Sequence, residues 1–401
     1  MKRRTRFRIA LVMLWSAGAL AQMPMHDHSA MAPAGDGEFN PFLISDGHGG
    51  YDSVYIKRQN GQSDVYFQHS VAGKPFSPPV RVNDKPDDAT VRNENPPKVA
   101  VGPGGEIYVA WQNQRERYKG NIRFSRSLDG GKTFSPAVDL NSANSGAPIG
   151  RGFETIAVAP NGHIYIAWID QRDKKGEDMA TAEIWMTESS DRGKTFSADR
   201  KIVSNVCECC RLTLALDGQG RIFLSYRSVP ATGPMLRDIA VARSDDGGKT
   251  FHSTIVNHDG WELNACPTDG ATMAVDHAGR IDIVWFTAAH DMPRVYIASS
   301  TDHGSSFSKP ALLDPSQKQS KHAYAVAIGD GLALAAWDDY NSTPVVKWGI
   351  YNLAKGTVQV LGTEADAVYP VVAVDGDHLA VIAMRHDHPE LFQTITTLTG
   401  R

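Results

Sequence analysis

The chain has 401 residues, and its 41 Lys and Arg against 45 Asp and Glu leave a formal charge of −4 at neutral pH. Five of those basic side chains, Lys2, Arg3, Arg4, Arg6 and Arg8, precede residue 9, so the remainder is more acidic still. That balance argues against nucleic acid and against anionic membrane surfaces as partners.

The opening stretch, MKRRTRFRIALVMLWSAGALAQ, reads as a secretory signal peptide. A basic start leads into a short apolar run at 9–15, and Ala19-Leu20-Ala21 is a small-residue cleavage site. The apolar run is too short to span a bilayer, and no later segment is apolar enough. Residues 1–21 are therefore expected to be removed, with a mature start near Gln22, in a periplasmic or secreted protein. Residues 22–38 follow as a flexible tail. There Met23, Met25, His26, His28 and Met31 mix thioether with imidazole, a donor set suited to copper. The alternative is a linker of accidental composition.

From residue 39 to 401 the chain reads as one repetitive all-β domain. SLDGGKTF (127–134), SSDRGKTF (189–196) and SDDGGKTF (244–251) are copies of S-x-D-x-G-x-T-F, and STDHGSSF (300–307) is a weaker fourth. Repeats of this length mark propellers or arrays. The Asp carboxylate can accept backbone N–H groups just ahead of it, and the Gly permits a positive φ. Phe134, Phe196, Phe251 and Phe307 are expected to bury against the blade. Each copy follows two apolar strands joined by a Gly turn, as in PKVAVGPGGEIYVAWQ and ETIAVAPNGHIYIAWI. Seven such units begin near residues 42, 97, 154, 211, 270, 323 and 369. The last has only three strands, which suggests ring closure by an N-terminal strand around 36–41. Radial repetition of four-stranded sheets is a β-propeller.

The S-x-D-x-G-x-T-F copies resemble the Asp-box, or bacterial neuraminidase repeat, of the sialidase superfamily. The resemblance implies a sialidase-like propeller; six blades are usual in that family, against the seven counted here. It implies a fold and not an activity. The strand order of a propeller places the 1–2 and 3–4 turns on one face, and the 2–3 loops and the connectors between units on the other, which the resemblance implies is the substrate face, as in sialidases. The unusual residues of this chain gather in the second set, in connectors such as KPDDATVRNENP (85–96), VSNVCECCR (203–211) and HDGWELNACPTDG (258–270).

Cys207, Cys209, Cys210 and Cys266 fall in two successive connectors. Three readings follow. A disulfide from Cys266 to Cys210 or Cys209 staples neighbouring connectors; the four sulfurs bind a soft metal such as Cu(I); or they form a redox pair. Sialidase chemistry implies three arginines on a carboxylate, a Glu-activated Tyr nucleophile and an Asp acid/base. The Arg-Ile-Pro motif of that family is absent. The candidates on this face are Arg227, Arg385 and Arg151 as clamp, Glu154 as base, Tyr369 as nucleophile and Asp170 as acid/base. Arg92, Arg172, Arg211, Glu94, Tyr324, Tyr340, Asp338, Asp339 and His322 lie in the same set of loops. Two functions remain open: a ligand-binding propeller for a glycan or a metal, which would suit a component of an envelope assembly, and an exo-sialidase-type glycoside hydrolase with a divergent site.

Overall fold

The computed structural model describes residues 35–71, 74–92, 94–116, 119–142, 149–174, 182–316, 319–329, 331–340 and 343–398. The expected signal peptide and all but the end of the Met/His tail lie outside them. The described residues form seven antiparallel sheets, six of four strands and a last of three. Blade 1 spans 37–81, blade 2 98–139, blade 3 151–206, blade 4 213–257, blade 5 272–312, blade 6 320–365 and blade 7 367–397. Within each blade the strands pair in chain order, as in Arg151–Val158, Ile164–Asp170, Ala182–Ser189 and Arg200–Val206. The count of seven is therefore the observed one.

Closure of the ring differs from expectation. Strand Gly37–Ser45 is not a fourth strand of blade 7; it is the first strand of blade 1, paired with Gly50–Gln59. A short Asp/Gly turn joins these two strands, so local hairpin closure costs far less chain entropy than pairing with a strand more than 300 residues away. Blade 7 instead packs against blade 1. The Glu38 N–H donates to Pro389 O (2.7 Å), Ser45 Oγ donates to Asp375 Oδ2 (2.6 Å), and Phe39, Val368 and Met384 share one core.

The second strands carry the repeating core residue. Trp111, Trp168, Trp285 and Trp337 occupy equivalent places and are all fully buried. Three of them direct their indole N–H to a polar partner, to Asp88 O, Asp170 Oδ2 and Asp259 Oδ2 respectively. That arrangement lets a large apolar ring be buried without an orphaned donor.

The four Asp turns have one geometry. In the first, Ser127 Oγ donates to Asp129 Oδ1 (2.6 Å) and accepts the Gly131 N–H (2.8 Å). Asp129 Oδ1 takes the N–H groups of Lys132 and Thr133, and Oδ2 takes the Thr133 hydroxyl. Asp191, Asp246 and Asp302 repeat the pattern. These bonds hold all four carboxylates well below the ordinary range. The phenylalanines are half-buried rather than buried, because they lie between blades: Phe134 meets Phe67 of blade 1 at 5.7 Å, and Phe196 meets Phe124 of blade 2 at 4.8 Å. The turn glycine is required twice over. Gly193 has φ 71°, and a Cβ there would sit 2.7 Å from the Phe124 ring of the preceding blade.

A cavity of about 740 Å³ follows the axis of the ring. It is lined by the 1–2 turns at 46–48 and 102–103 and, further in, by Thr155, Thr213, Thr272, Lys98, Arg211 and Tyr324.

Candidate functional site at the channel mouth

Because strands alternate in direction, every first strand starts on the face that carries the connectors. The residues at those starts converge on the axis. Several have a left-handed backbone: Glu94 (φ 65°), Phe153 (57°), Thr268 (51°), His322 (48°) and Tyr369 (54°). Such conformations are costly for residues with a Cβ and gather at functional sites.

Arg211, from the connector into blade 4, is the hub. Its Nη1 lies 3.3 Å from Glu94 Oε1, and its Nη2 lies 3.5 Å from Asp269 Oδ1. Nη2 also donates to the carbonyls of Gly270 (3.1 Å) and Ala323 (2.9 Å). Beside it stands a His–Asp dyad: His322 Nδ1 is 2.7 Å from Asp338 Oδ2, leaving Nε2 3.9 Å from Glu94 Oε1. The same Asp338 oxygen accepts the Tyr369 backbone N–H, and the Tyr369 ring lies 4.1 Å from the His322 ring. Tyr340 meets the same imidazole edge-on at 6.3 Å. Asp338 Oδ1 is buried with no hydrogen-bond partner.

The charges set the proton affinities. Burial pulls His322 down, but Asp338, Asp269 and Glu94 outweigh it and hold the imidazole above its ordinary value. Burial raises Glu94, and Arg211 offsets this only in part. Burial also raises Tyr369 well above the usual phenol range, and the surrounding carboxylates add to it. Both influences favour the neutral hydroxyl of Tyr369. Deeper in, burial lowers Lys98 and raises Glu154, and the two oppose each other's shift. Lys98 lies over the Phe42 ring at 4.5 Å.

His322 and Glu94 both bind protons more tightly folded than unfolded, so their contribution to stability falls as pH rises. For His322 it is complete below its unfolded value of 6.5 and is lost as pH climbs through the raised folded value. Melting temperature should fall as pH rises above 6.5, and His322→Gln should flatten that slope. An unchanged slope in the variant would place the titration elsewhere. The low-lying Asp-turn carboxylates act in the opposite sense, losing their contribution only in strong acid.

The other sequence candidates are placed differently. Arg227 does not face a ligand: it is fully buried, and its guanidinium donates to the carbonyls of Arg237, Asp269 and Phe286. Arg151 and Asp170 pair with each other (2.8 Å), and Asp170 also holds Arg172 (2.6 Å). Arg385 sits at the end of a strand of blade 7, bonded to Ala365 O and paired with Glu364. These arginines are committed to separate partners, so the expected clamp does not assemble from them. Tyr369 and Glu154 do reach the axis, as do Glu94, Arg211, Asp338 and His322. Asp269 and Lys98 were missed. Asp269 stood inside a connector already singled out, and Lys98 is the one charge in an otherwise apolar strand start.

Cys266 pairs with Cys209, not with Cys210. The Cys207 N–H donates to Arg227 O, which fixes the segment alongside blade 4. In the turn that follows, Cys210 folds back to within 3.3 Å of Cys207, and Cys209 is left facing the next connector, its Cα 6.2 Å from that of Cys266. The disulfide removes two sulfurs from the proposed metal set. Cys207 and Cys210 are free thiols, both buried.

These features define a sialidase-like β-propeller of seven blades with a buried acid/base cluster at its axis. No protein-family model matches the sequence, and none of the curated proteins is similar to it. Among solved structures it is similar to a Hadza microbial sialidase (14% identity, TM-score 0.53, 83% of this chain and 73% of that one). It is also similar to an ulvan lyase bound to a glucuronyl–sulfated rhamnose unit (13%, 0.60, 92% and 95%) and to the NanB sialidase of Streptococcus pneumoniae (11%, 0.50, 86% and 82%). At these identities the likeness is one of fold.

Proposed function

We propose that this chain is a secreted sugar-binding propeller that takes a glycan at the channel mouth on its connector face, without the sialidase arginine clamp. The observation that carries the reading is the Arg211–Glu94–His322–Asp338–Tyr369 assembly, built from four different blades or connectors on one axis. Such a site offers a cation, a proton-holding imidazole and aromatic rings to one ligand. Tyr340 and Tyr369 supply stacking faces, and Lys321, within 5.9 Å of the Tyr340 ring, adds a second cation. The sialidases and the polysaccharide lyase among the structural relatives act on sugars, which favours a glycan over a metal. The disulfide favours an oxidising compartment. No helix among the described residues is long and apolar enough to cross a membrane.

The alternative is a sialidase-type hydrolase. Tyr369 and Glu154 at the axis favour it; the dispersed arginines, and the burial and carboxylates that favour the neutral Tyr369 hydroxyl, oppose it. The test is binding of wild type, Lys321→Ala and His322→Gln to immobilised sialylated, uronic-acid and neutral glycans, beside a fluorogenic sialoside assay. Wild type should retain at least one glycan class and both variants should bind it about tenfold more weakly, the scale of one charged hydrogen bond. Binding of none of the three classes would sink the reading. Sialoside turnover that Tyr369→Phe abolishes would establish the hydrolase instead.

A further inference from the structure

The two free thiols stand in an unusual electrostatic setting. Arg227 and Arg237 are both fully buried, yet neither makes an ion pair among the described residues. Their donors go to backbone carbonyls: Arg227 to Arg237, Asp269 and Phe286, Arg237 to Leu263 and Ala265. Arg227 Nε and Arg237 Nη1 remain buried with no acceptor. Arg227 also lies 5.3 Å from the Trp261 ring and within electrostatic reach of Asp259, but neither guanidinium has a directly paired carboxylate among the described residues, and such a pair of desolvated cations favours a further anion nearby. Cys207 is within electrostatic reach of both, and the Cys210 thiol lies 3.3 Å from its sulfur. The hydrogen bond from Cys210 comes first, then the two guanidiniums, and together they overcome burial and bring the Cys207 thiol down to about 6. Burial and the neighbouring thiolate push Cys210 the other way. Both directions favour the thiolate on Cys207 and the proton on Cys210.

The Cys207 sulfur also lies 3.6 Å from the sulfur of Cys209, which is bonded to Cys266. Cys266 is the one cysteine of the four that is only partly buried.

We infer that these four cysteines form a thiol–disulfide exchange centre in which Cys207 attacks the Cys209–Cys266 disulfide and releases Cys266. The Cys207 sulfur bonds to Cys209 Sγ as the Cys209–Cys266 bond breaks, and Cys266 leaves with the electron pair as a thiolate. Cys210 then attacks Cys207 and expels Cys209, and the proton of Cys210 passes to Cys266. One disulfide and two reduced sulfurs exist before and after, so no oxidant or reductant is consumed. The staple moves from between two connectors to within one. The connectors it leaves carry Arg211 and Asp269, and the sulfur it frees is the one nearest to solvent.

The full chain, purified without reductant, is incubated folded at pH 8 with iodoacetamide, quenched in acid and mapped by peptide mass under non-reducing conditions. The expected result is alkylated Cys266 together with a Cys207–Cys210 bond, and at least tenfold slower Cys266 labelling in Cys207→Ser. An intact Cys209–Cys266 bond after hours, or equally fast Cys266 labelling in Cys207→Ser, would overturn the inference. Should that variant not fold, Cys210→Ser keeps the nucleophile and removes the second step. It should accumulate a Cys207–Cys209 bond, and finding Cys209–Cys266 intact there overturns the inference as well.

Discussion

Replacing Arg211 with methionine should destabilise the ring by about 3–5 kcal/mol, the cost of breaking a buried ion pair from one side. The guanidinium touches Glu94 before blade 2, Asp269 and Gly270 before blade 5, and Ala323 in blade 6. Its loss leaves two desolvated carboxylates facing each other and takes a donor from the Gly270 and Ala323 carbonyls, the second of which keeps the Thr272 hydroxyl. The methionine stem keeps most of the packing, so the effect reads the charge and its hydrogen bonds. Urea unfolding at neutral pH measures it. A second substitution decides the cause: Glu94→Gln in the same chain removes one of the stranded carboxylates and should recover part of the loss. A single-variant effect below about 1 kcal/mol would mean that water replaces the cation at the axis, and that the site is wetter than its burial indicates.

The Cys209–Cys266 staple carries the second large effect. It closes a loop of sequence separation 57, for which chain entropy alone predicts about 4 kcal/mol. The paired variant Cys209→Ser/Cys266→Ser should unfold at correspondingly lower urea. Cys207→Ser/Cys210→Ser, which removes thiols and no cross-link, should cost less in chain entropy and more in buried charge, since Arg227 and Arg237 lose the anion that Cys207 offers them. Equal stability of the first variant and wild type would show that the connectors are held by Arg227 and Arg237 through their carbonyl bonds, with the disulfide redundant.

The architecture was legible to an unusual depth. Each Asp turn satisfies its own donors within about four residues, so its presence depends on nothing distant, and four copies in register reveal the repeat. The buried tryptophans close apolar runs of alternating strand, which is again a local signature. Once the blades were counted, the face of every loop followed from strand direction alone. Ring closure was misread because a three-stranded last unit and an available N-terminal segment suggested a partnership, whereas the turn after Ser45 had already committed that segment to a hairpin.

The site was legible only as a pool. Arg151 and Arg211 stand at or just before strand starts, Arg227 and Arg385 at strand ends, all on the same face, and nothing in their neighbours in sequence separates them. In the folded chain one is the hub of an axial cluster, one is locked to Asp170, one is sealed among carbonyls and one sits on the last blade.

The sequence by itself determined the period, the turn chemistry and therefore the propeller and its two faces, because those properties rest on side chains acting within a few residues of themselves. Tertiary structure alone decided which charges share the axis, which cysteine meets Cys266, and which arginines lack a counter-ion. Each of those depends on groups separated by 50 to more than 200 residues in the chain, as His322 is from Glu94, and on how far water is excluded from between them. Burial converts a side chain of ordinary proton affinity into one that holds or sheds its proton, and no local pattern encodes burial at the centre of a ring.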